Sequence, residues 1–248
     1  MPQRAGSLSL VCLLLFAVPV LADDFDMKCH PFASIEVKRP IDSKCGPTGD
    51  AGAKDALALQ DEAKDNFCAS GKPKELTFAD YPKMQAAAQK ALGGANYKPP
   101  TSRAALKKLG EGKLVRLVAY VDRARYSDVE KGESVNCNLG GDSDNDVHIP
   151  LLAKPGQDEC TSVTAEVSPH YRPDAWTPEN LNKQTMPVRI TGQLAFDAEH
   201  KPCTKTKVEE PKRQSVWEIH PVYKIETCTA KSAADCVAGD DSVWAVLQ

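Results

Sequence analysis

The stretch Ser215–Cys228, SVWEIHPVYKIETC, reads as a strand and decides how the chain is built. At period two, Trp217, Ile219, Tyr223 and Ile225 fall on one face, and Glu218, His220, Lys224 and Glu226 on the other. The first face predicts core; the second predicts a surface open to chemistry. Asp144–Leu152, DNDVHIPLL, repeats the device: Val147, Ile149 and Leu151 point one way, Asp146 and His148 the other. An acid, a spacer and a histidine thus occur twice on strands.

Working outward, Lys113–Arg125 (KLVRLVAYVDRAR) predicts a long strand with Val115, Leu117 and Ala119 on one face. Ser134–Leu139, Val147–Ala153 and Ser162–Ser168 predict further strands, and Thr177–Leu181 a short helical turn between strands. Val188–Asp197 (VRITGQLAFD) follows, with Gly192 marking a bend or a close approach. Upstream, Ala51–Phe67 has Ala53, Ala56, Leu57, Ala63 and Phe67 at helical spacing after a candidate cap, Asp50. Asp80 begins a second helix, ended by Gly93-Gly94, and Arg103–Leu109 is a third. Lys231–Cys236 predicts a helical turn and Ser242–Leu247 a terminal apolar segment.

A long strand, further strands, a helical turn, a glycine-bent strand and a last strand follow the order of a Greek-key OB barrel. VRITGQLAFD followed by WEIHPVYKIETC resembles the last two strands of OB-like domains in exported, mostly uncharacterised bacterial proteins, where strands of the DNDVHIPLL type recur. That resemblance spans about residues 113–228. It implies an OB-like barrel in an exported protein and carries no catalytic residue with it. The fold class is therefore α+β, mainly β: an OB-like barrel of five to six strands over 111–228. An irregular and helical region precedes it over 23–110, and a tail over 229–248 packs on it. An Ig-like sandwich is the rival arrangement.

Arg4, the apolar run Leu8–Leu21 and the switch from Ala22 to Asp23-Asp24 read as a signal peptide cut after Ala22. The run falls short of the about 20 apolar residues of a spanning helix, so a periplasmic or extracellular protein without a transmembrane segment is expected. Cleavage would leave eight cysteines, Cys29, Cys45, Cys68, Cys137, Cys160, Cys203, Cys228 and Cys236. An even set in an exported chain implies disulfides. Three precede Gly71, so full pairing demands at least one bridge from that group to the rest. No CxxC occurs, which argues against a thiolate zinc site.

Side chains two apart on a strand lie roughly 6.6 Å apart along it. Asp146 with His148, and Glu218 with His220, could therefore converge on one divalent metal ion if their strands are neighbours, with Glu166 as a possible base. The plain alternative is ion pairing on a solvated face. Asp142, Asp144 and Asp146 alternate like the start of a calcium loop, yet the sixth-position glycine and the closing glutamate are missing. Ser168 before Pro169-His170 reads as a turn, and no GxSxG elbow occurs.

In OB domains the loops after the first and fourth strands flank the ligand face. Here these are 126–133 and 198–214, and Arg116, Tyr120, Arg123, Lys205 and Lys207 are the candidate ligand-binding residues for phosphate or an acidic glycan. A formal net charge of −3 with 6% aromatic residues argues against a nucleic-acid partner. The expected function is an exported, disulfide-stabilised OB-like binding or structural module whose partner is a small molecule, glycan or protein. The alternative is a metal-dependent hydrolase of phosphoesters or glycans.

Overall fold

The computed structural model describes residues 40–46, 48–49, 56–94 and 97–247. Five strands close a barrel: β2 (Leu114–Val121), β4 (Val147–Leu152), β5 (Val163–Val167), β6 (Val188–Phe196) and β7 (Trp217–Cys228). Around it the order is β2-β4-β5-β7-β6 and back to β2. Pairing of Tyr120 with Leu152 and Val121 with Leu151 closes the ring, and β5 beside β7 is the one parallel pair within it. That is the OB arrangement. β1 (Lys74–Leu76) extends the sheet beside β2, β3 (Arg125–Tyr126) pairs with β4, and β8 (Trp244–Val246) pairs with β7.

Alternation accounts for the barrel interior. Val115, Leu117 and Ala119 of β2 meet Val147, Ile149 and Leu151 of β4, Val163, Ala165 and Val167 of β5, and Val188, Ile190, Leu194 and Phe196 of β6. Trp217, Ile219, Val222 and Ile225 of β7 complete it. Helix α2 (Asp80–Ala91) adds Tyr81 and Ala88 to this core, and α3 (Ala104–Leu109) adds Leu106 before Gly110 ends it at φ 119°. Gln85 on α2 accepts hydrogen bonds from the Ser215 hydroxyl and the Val216 N–H, fixing the start of β7. Helix α4 (Pro178–Asn182), between β5 and β6, has Thr177 as its cap.

Gly192 is the close approach expected of it. A Cβ there would lie 2.5 Å from the Pro221 carbonyl oxygen, and the β6–β7 register shifts at this point. The irregularity breaks the period of β7: Tyr223 leaves the barrel core and stacks on Phe67 outside it.

Several expectations need correcting. Ser134–Leu139 is not a strand: Ser134–Asn136 form a 3-10 turn, and Cys137 and Asn138 take positive φ, which no strand allows. Lys113–Arg125 is interrupted after Val121, and its end pairs separately as β3. Helix α1 (Ala56–Lys64) turns its polar stripe Gln60, Asp61 and Lys64 inward, leaving Leu59 exposed, because it lies over the polar outer face of the barrel. The second face of β7 is accordingly not open, since Glu218, His220 and Glu226 are all buried. Asp50 and residues 51–55 lie outside the described residues, as does the cleavage site.

Cys45–Cys137, Cys160–Cys203 and Cys228–Cys236 are disulfides. The first ties the N-terminal region to the barrel across 92 residues, as the cysteine count requires. Cys68 is also disulfide-bonded. Such bonds fit an oxidising compartment. No helix among the described residues is long and apolar enough to cross a membrane.

Candidate functional site

Strand neighbours bring the two acid–histidine pairs together. His148 on β4 is registered directly opposite Glu166 on β5, and Ala165 on β5 opposite Ile219 on β7, which sets Glu166 beside His220. All three side chains point away from the barrel core, toward α1 and the 127–145 segment. His148 Nδ1 lies 3.1 Å from Glu166 Oε1. His220 Nδ1 lies 2.8 Å from Glu166 Oε2 and 3.3 Å from Glu218 Oε1, while its Nε2 lies 3.4 Å from Asp146 Oδ2. The His220–Glu166 approach is an ion-pair contact off hydrogen-bonding geometry, since Glu166 Oε2 has no hydrogen-bond donor among the described residues. Asp146, Glu166 and His220 each place one candidate ligand atom within 4.8 Å of the others.

Cations from other elements complete the network. Lys64, at the end of α1, reaches Glu166 and Asp197 at 3.5 Å and Glu218 at 3.6 Å. Arg213 donates to Glu218 at 3.2 Å and stands 3.8 Å from Asp197. Asp197 also lies 2.6 Å from His200 Nδ1. Asn136 Nδ2 donates to Asp146 Oδ1 at 3.0 Å, so the turn stapled by Cys45–Cys137 orients that carboxylate.

Burial and neighbouring charge set the protonation states. Burial, with Arg213 and Arg125 adding to it, pushes His148 down to about 4 against the pull of Glu166. His148 is then neutral, with Nδ1–H donated to Glu166 and a bare lone pair on Nε2. Burial opposes the charge on Glu166 as well, but Lys64, His148 and His220 hold its carboxyl well below the usual range. For His220, burial would lower the pKa, yet Asp146, Glu166 and Glu218 raise it well above the ordinary value. Asp65 and Glu133, both penalised chiefly by burial and then by Asp146, are raised.

A cleft of about 480 Å³ opens over this cluster. Lys64, His148, Glu166 and Arg213 are among the residues lining it, with Arg125 and His200. Its walls are the segments after β2 and after β6, the ligand face of OB barrels. The expected ligand-binding residues Arg116, Tyr120, Arg123, Lys205 and Lys207 do not line it. Arg116 pairs instead with Glu75 on β1 at 2.6 Å, and Lys207 with Glu209 at 2.7 Å in the exposed loop.

The structure therefore gathers Asp146, His148, Glu166, Glu218 and His220, with Glu166 central. Sequence reading missed Lys64, Asp65, Glu133 and Asp197, and took Arg213 only as one of the loop cations; the one signal for Lys64 was a polar stripe on α1 as regular as its apolar one. The Asp142–Asp144 turn is an ordinary one, its Asp142 and Ser143 carbonyls accepting from Arg172. Ser168 likewise caps a turn, accepting from the His170 N–H. Compared with known proteins, the chain matches no family model, no curated protein and no solved structure.

Proposed function

We propose that this protein is an exported binding module of the OB type that holds an acidic glycan fragment in the cleft between segments 125–138 and 199–213. One observation carries the reading: buried polar atoms of opposite kind lie without hydrogen-bond partners, among the described residues, on side chains lining the cleft. They are the acceptor His148 Nε2 and the donors Arg213 Nε and Nη2. A buried polar atom without a partner costs on the order of 1–3 kcal/mol. A sugar hydroxyl donates and accepts at once and satisfies both kinds. Arg125, 40% exposed at the side chain and 3.9 Å from Glu159, its one ion-pair partner among the described residues, supplies a cation for a carboxylate. Lys64 cannot serve this purpose, because three carboxylates share it.

Calorimetric titration of trigalacturonate into the purified protein tests this. Binding tighter than about 1 mM, weakened about tenfold by Arg125→Ala (roughly 1.4 kcal/mol), is the expected result. No heat at millimolar ligand, or an equal response of the variant, would refute it, and competition by inorganic phosphate alone would reassign the anion.

A second reading, metal-dependent hydrolysis of a glycosidic or phosphoester bond, is favoured by the convergence of Asp146, Glu166 and His220, of which Glu166 lines the same cleft. Release of reducing ends or phosphate on addition of Zn²⁺ or Mn²⁺ distinguishes it from binding alone.

A further inference from the structure

A second cavity, of about 340 Å³, lies between α1, the start of α3 and β6. Lys64 lines the first cleft, whereas Leu59, Glu62 and Ala63, on another face of α1, line this one, and no residue lines both. Gln193 of β6 lines it from the barrel side. That side chain leaves the barrel on its outer face, with its cross-strand partner Leu114, which packs in the apolar cluster outside the barrel. The last carbonyls of a helix have no partner within it, and that of Ala63 accepts from Gln193 Nε2 at 2.8 Å. A carbonyl only accepts, so the amide nitrogen must face Ala63, and Oε1 is the atom left over. Gln193 is 1% exposed, and its Oε1 has no hydrogen-bond partner among the described residues.

We propose that this cavity binds a compact, uncharged N–H heterocycle, whose N–H donates to Gln193 Oε1 and whose ring lies against Leu59, Ala63 and Ala104. The lining dictates each property. Among the described residues, Gln193 Oε1 is the one buried side-chain atom on it without a partner, and it is an acceptor with no unpartnered donor beside it. Buried polar groups ordinarily have partners. A sugar hydroxyl or an amide would bring in lone pairs that find no buried donor, whereas a pyrrole-type N–H, like that of tryptophan, donates and accepts nothing. The first cleft differs in kind, since its unpartnered atoms include donors as well as an acceptor. Arg103 and Glu111, both buried, satisfy each other, with Arg103 Nε donating to Glu111 Oε2 at 2.8 Å. Glu62 and Lys107, both exposed, add one charge of each sign and form no ion pair among the described residues. The lining is thus neutral as a whole and favours neither an anion nor a cation. Leu59, a large apolar side chain left 38% exposed on α1, supplies a wall for the ring. The volume falls within the roughly 300–1,000 Å³ of small-molecule sites.

The rival is a buried water that satisfies Gln193 Oε1 in a cavity that takes nothing else. The test uses the full chain with no glycan present, so it succeeds or fails apart from the first cleft. The probes are indole and benzofuran, which carries an oxygen in place of the N–H. Calorimetric titration should show one site for indole with Kd below about 1 mM, and benzofuran binding at least about tenfold more weakly. Gln193→Leu removes the acceptor and should bind the two probes within about threefold of each other. Ala104→Phe, at an exposed position of α3, fills the cavity and should lose indole binding while keeping the Tm of the parent. Nitrogen-15 shift changes on adding indole should fall in residues 59–66 and 101–112 and at the Gln193 side-chain amide. No indole binding at millimolar concentration, equal affinity of the parent for both probes, undiminished binding by Ala104→Phe, or shift changes confined to residues 125–138 would overturn the assignment.

Discussion

Replacing Gly192 by alanine tests the joint on which the site is built. Gly192 lies in β6 where the register with β7 shifts, facing the turn of chain just after His220. A Cβ would sit 2.5 Å from the Pro221 carbonyl oxygen and 2.6 Å from Ile219 Cγ2, against 3.4 Å for ordinary contact, so β6 and β7 must part by up to about 0.9 Å. Ile219 is fully buried and Pro221 contributes backbone, so neither yields by rotating into solvent. Overpacking of this kind costs about 1–3 kcal/mol, and alanine recovers some of the about 0.5–1 kcal/mol of backbone entropy that glycine loses in a strand. The net expectation is about 1.5 kcal/mol, which lowers Tm by about 3–6 °C in a chain of this size. Gly239→Ala is the control, because nothing lies within 4 Å of its Cβ and it should stay within about 0.5 kcal/mol of the parent. Urea unfolding with the disulfides intact gives both values. Equal stability of the two variants would show that the strands do not meet as tightly as described, and the placement of His220 would fall with them.

Arg189 on β6 donates to both oxygens of Glu226 at 2.7 Å, to Asp241 at 2.5 Å and to the Ala238 carbonyl, and lies over the Trp244 ring. Arg189→Met leaves Glu226 buried beside Lys224 alone, and a loss of about 3 kcal/mol is expected in urea unfolding, mostly recovered by Arg189→Met with Glu226→Leu; a loss under about 1 kcal/mol would contradict a buried, paired Arg189. Asp61 is raised to about 7, mainly by burial and further by Glu199 and Asp197, against Lys64 and Ser134. Because its folded pKa exceeds the ordinary 3.8, the folded state holds the proton more tightly, and stability falls as pH rises from about 4 to about 7. In EDTA, Asp61→Asn should match the parent near pH 4.5 within about 1 kcal/mol and exceed it at pH 8 by about 2–4 kcal/mol; parallel Tm curves across that range would refute the shift.

Much of the barrel is legible because its strands obey period two and its connections carry turn residues. Val188–Phe196 and Trp217–Cys228 could be read directly, and Thr177–Leu181 gave the helical turn that separates an OB order from a plain meander. Ser134–Leu139 misled because β-forming residues there are overridden by a tertiary bond, Cys45–Cys137, and by left-handed backbone at Cys137 and Asn138. Three-residue β1 carries too short a pattern to be read at all.

The site divides along the same line. Acid and histidine two apart on one strand are a local feature, so Asp146, His148, Glu218 and His220 were visible. Their burial was not, since it depends on α1 and on the 127–145 segment closing over the sheet. Lys64 and Arg213 belong to the network only through contacts spanning more than a hundred residues and a loop, respectively, such as Lys64 with Glu166.

Nitrogen-15 NMR mapping of trigalacturonate binding addresses the central claim, that the outward polar face of β4 and β5 is the floor of a ligand cleft. Shift changes should concentrate in residues 125–138 and 199–213 and at the His148 ring. Changes concentrated instead around Tyr171, Trp176 and Tyr223, which line a separate cleft of about 470 Å³, or no changes at millimolar ligand, would contradict it.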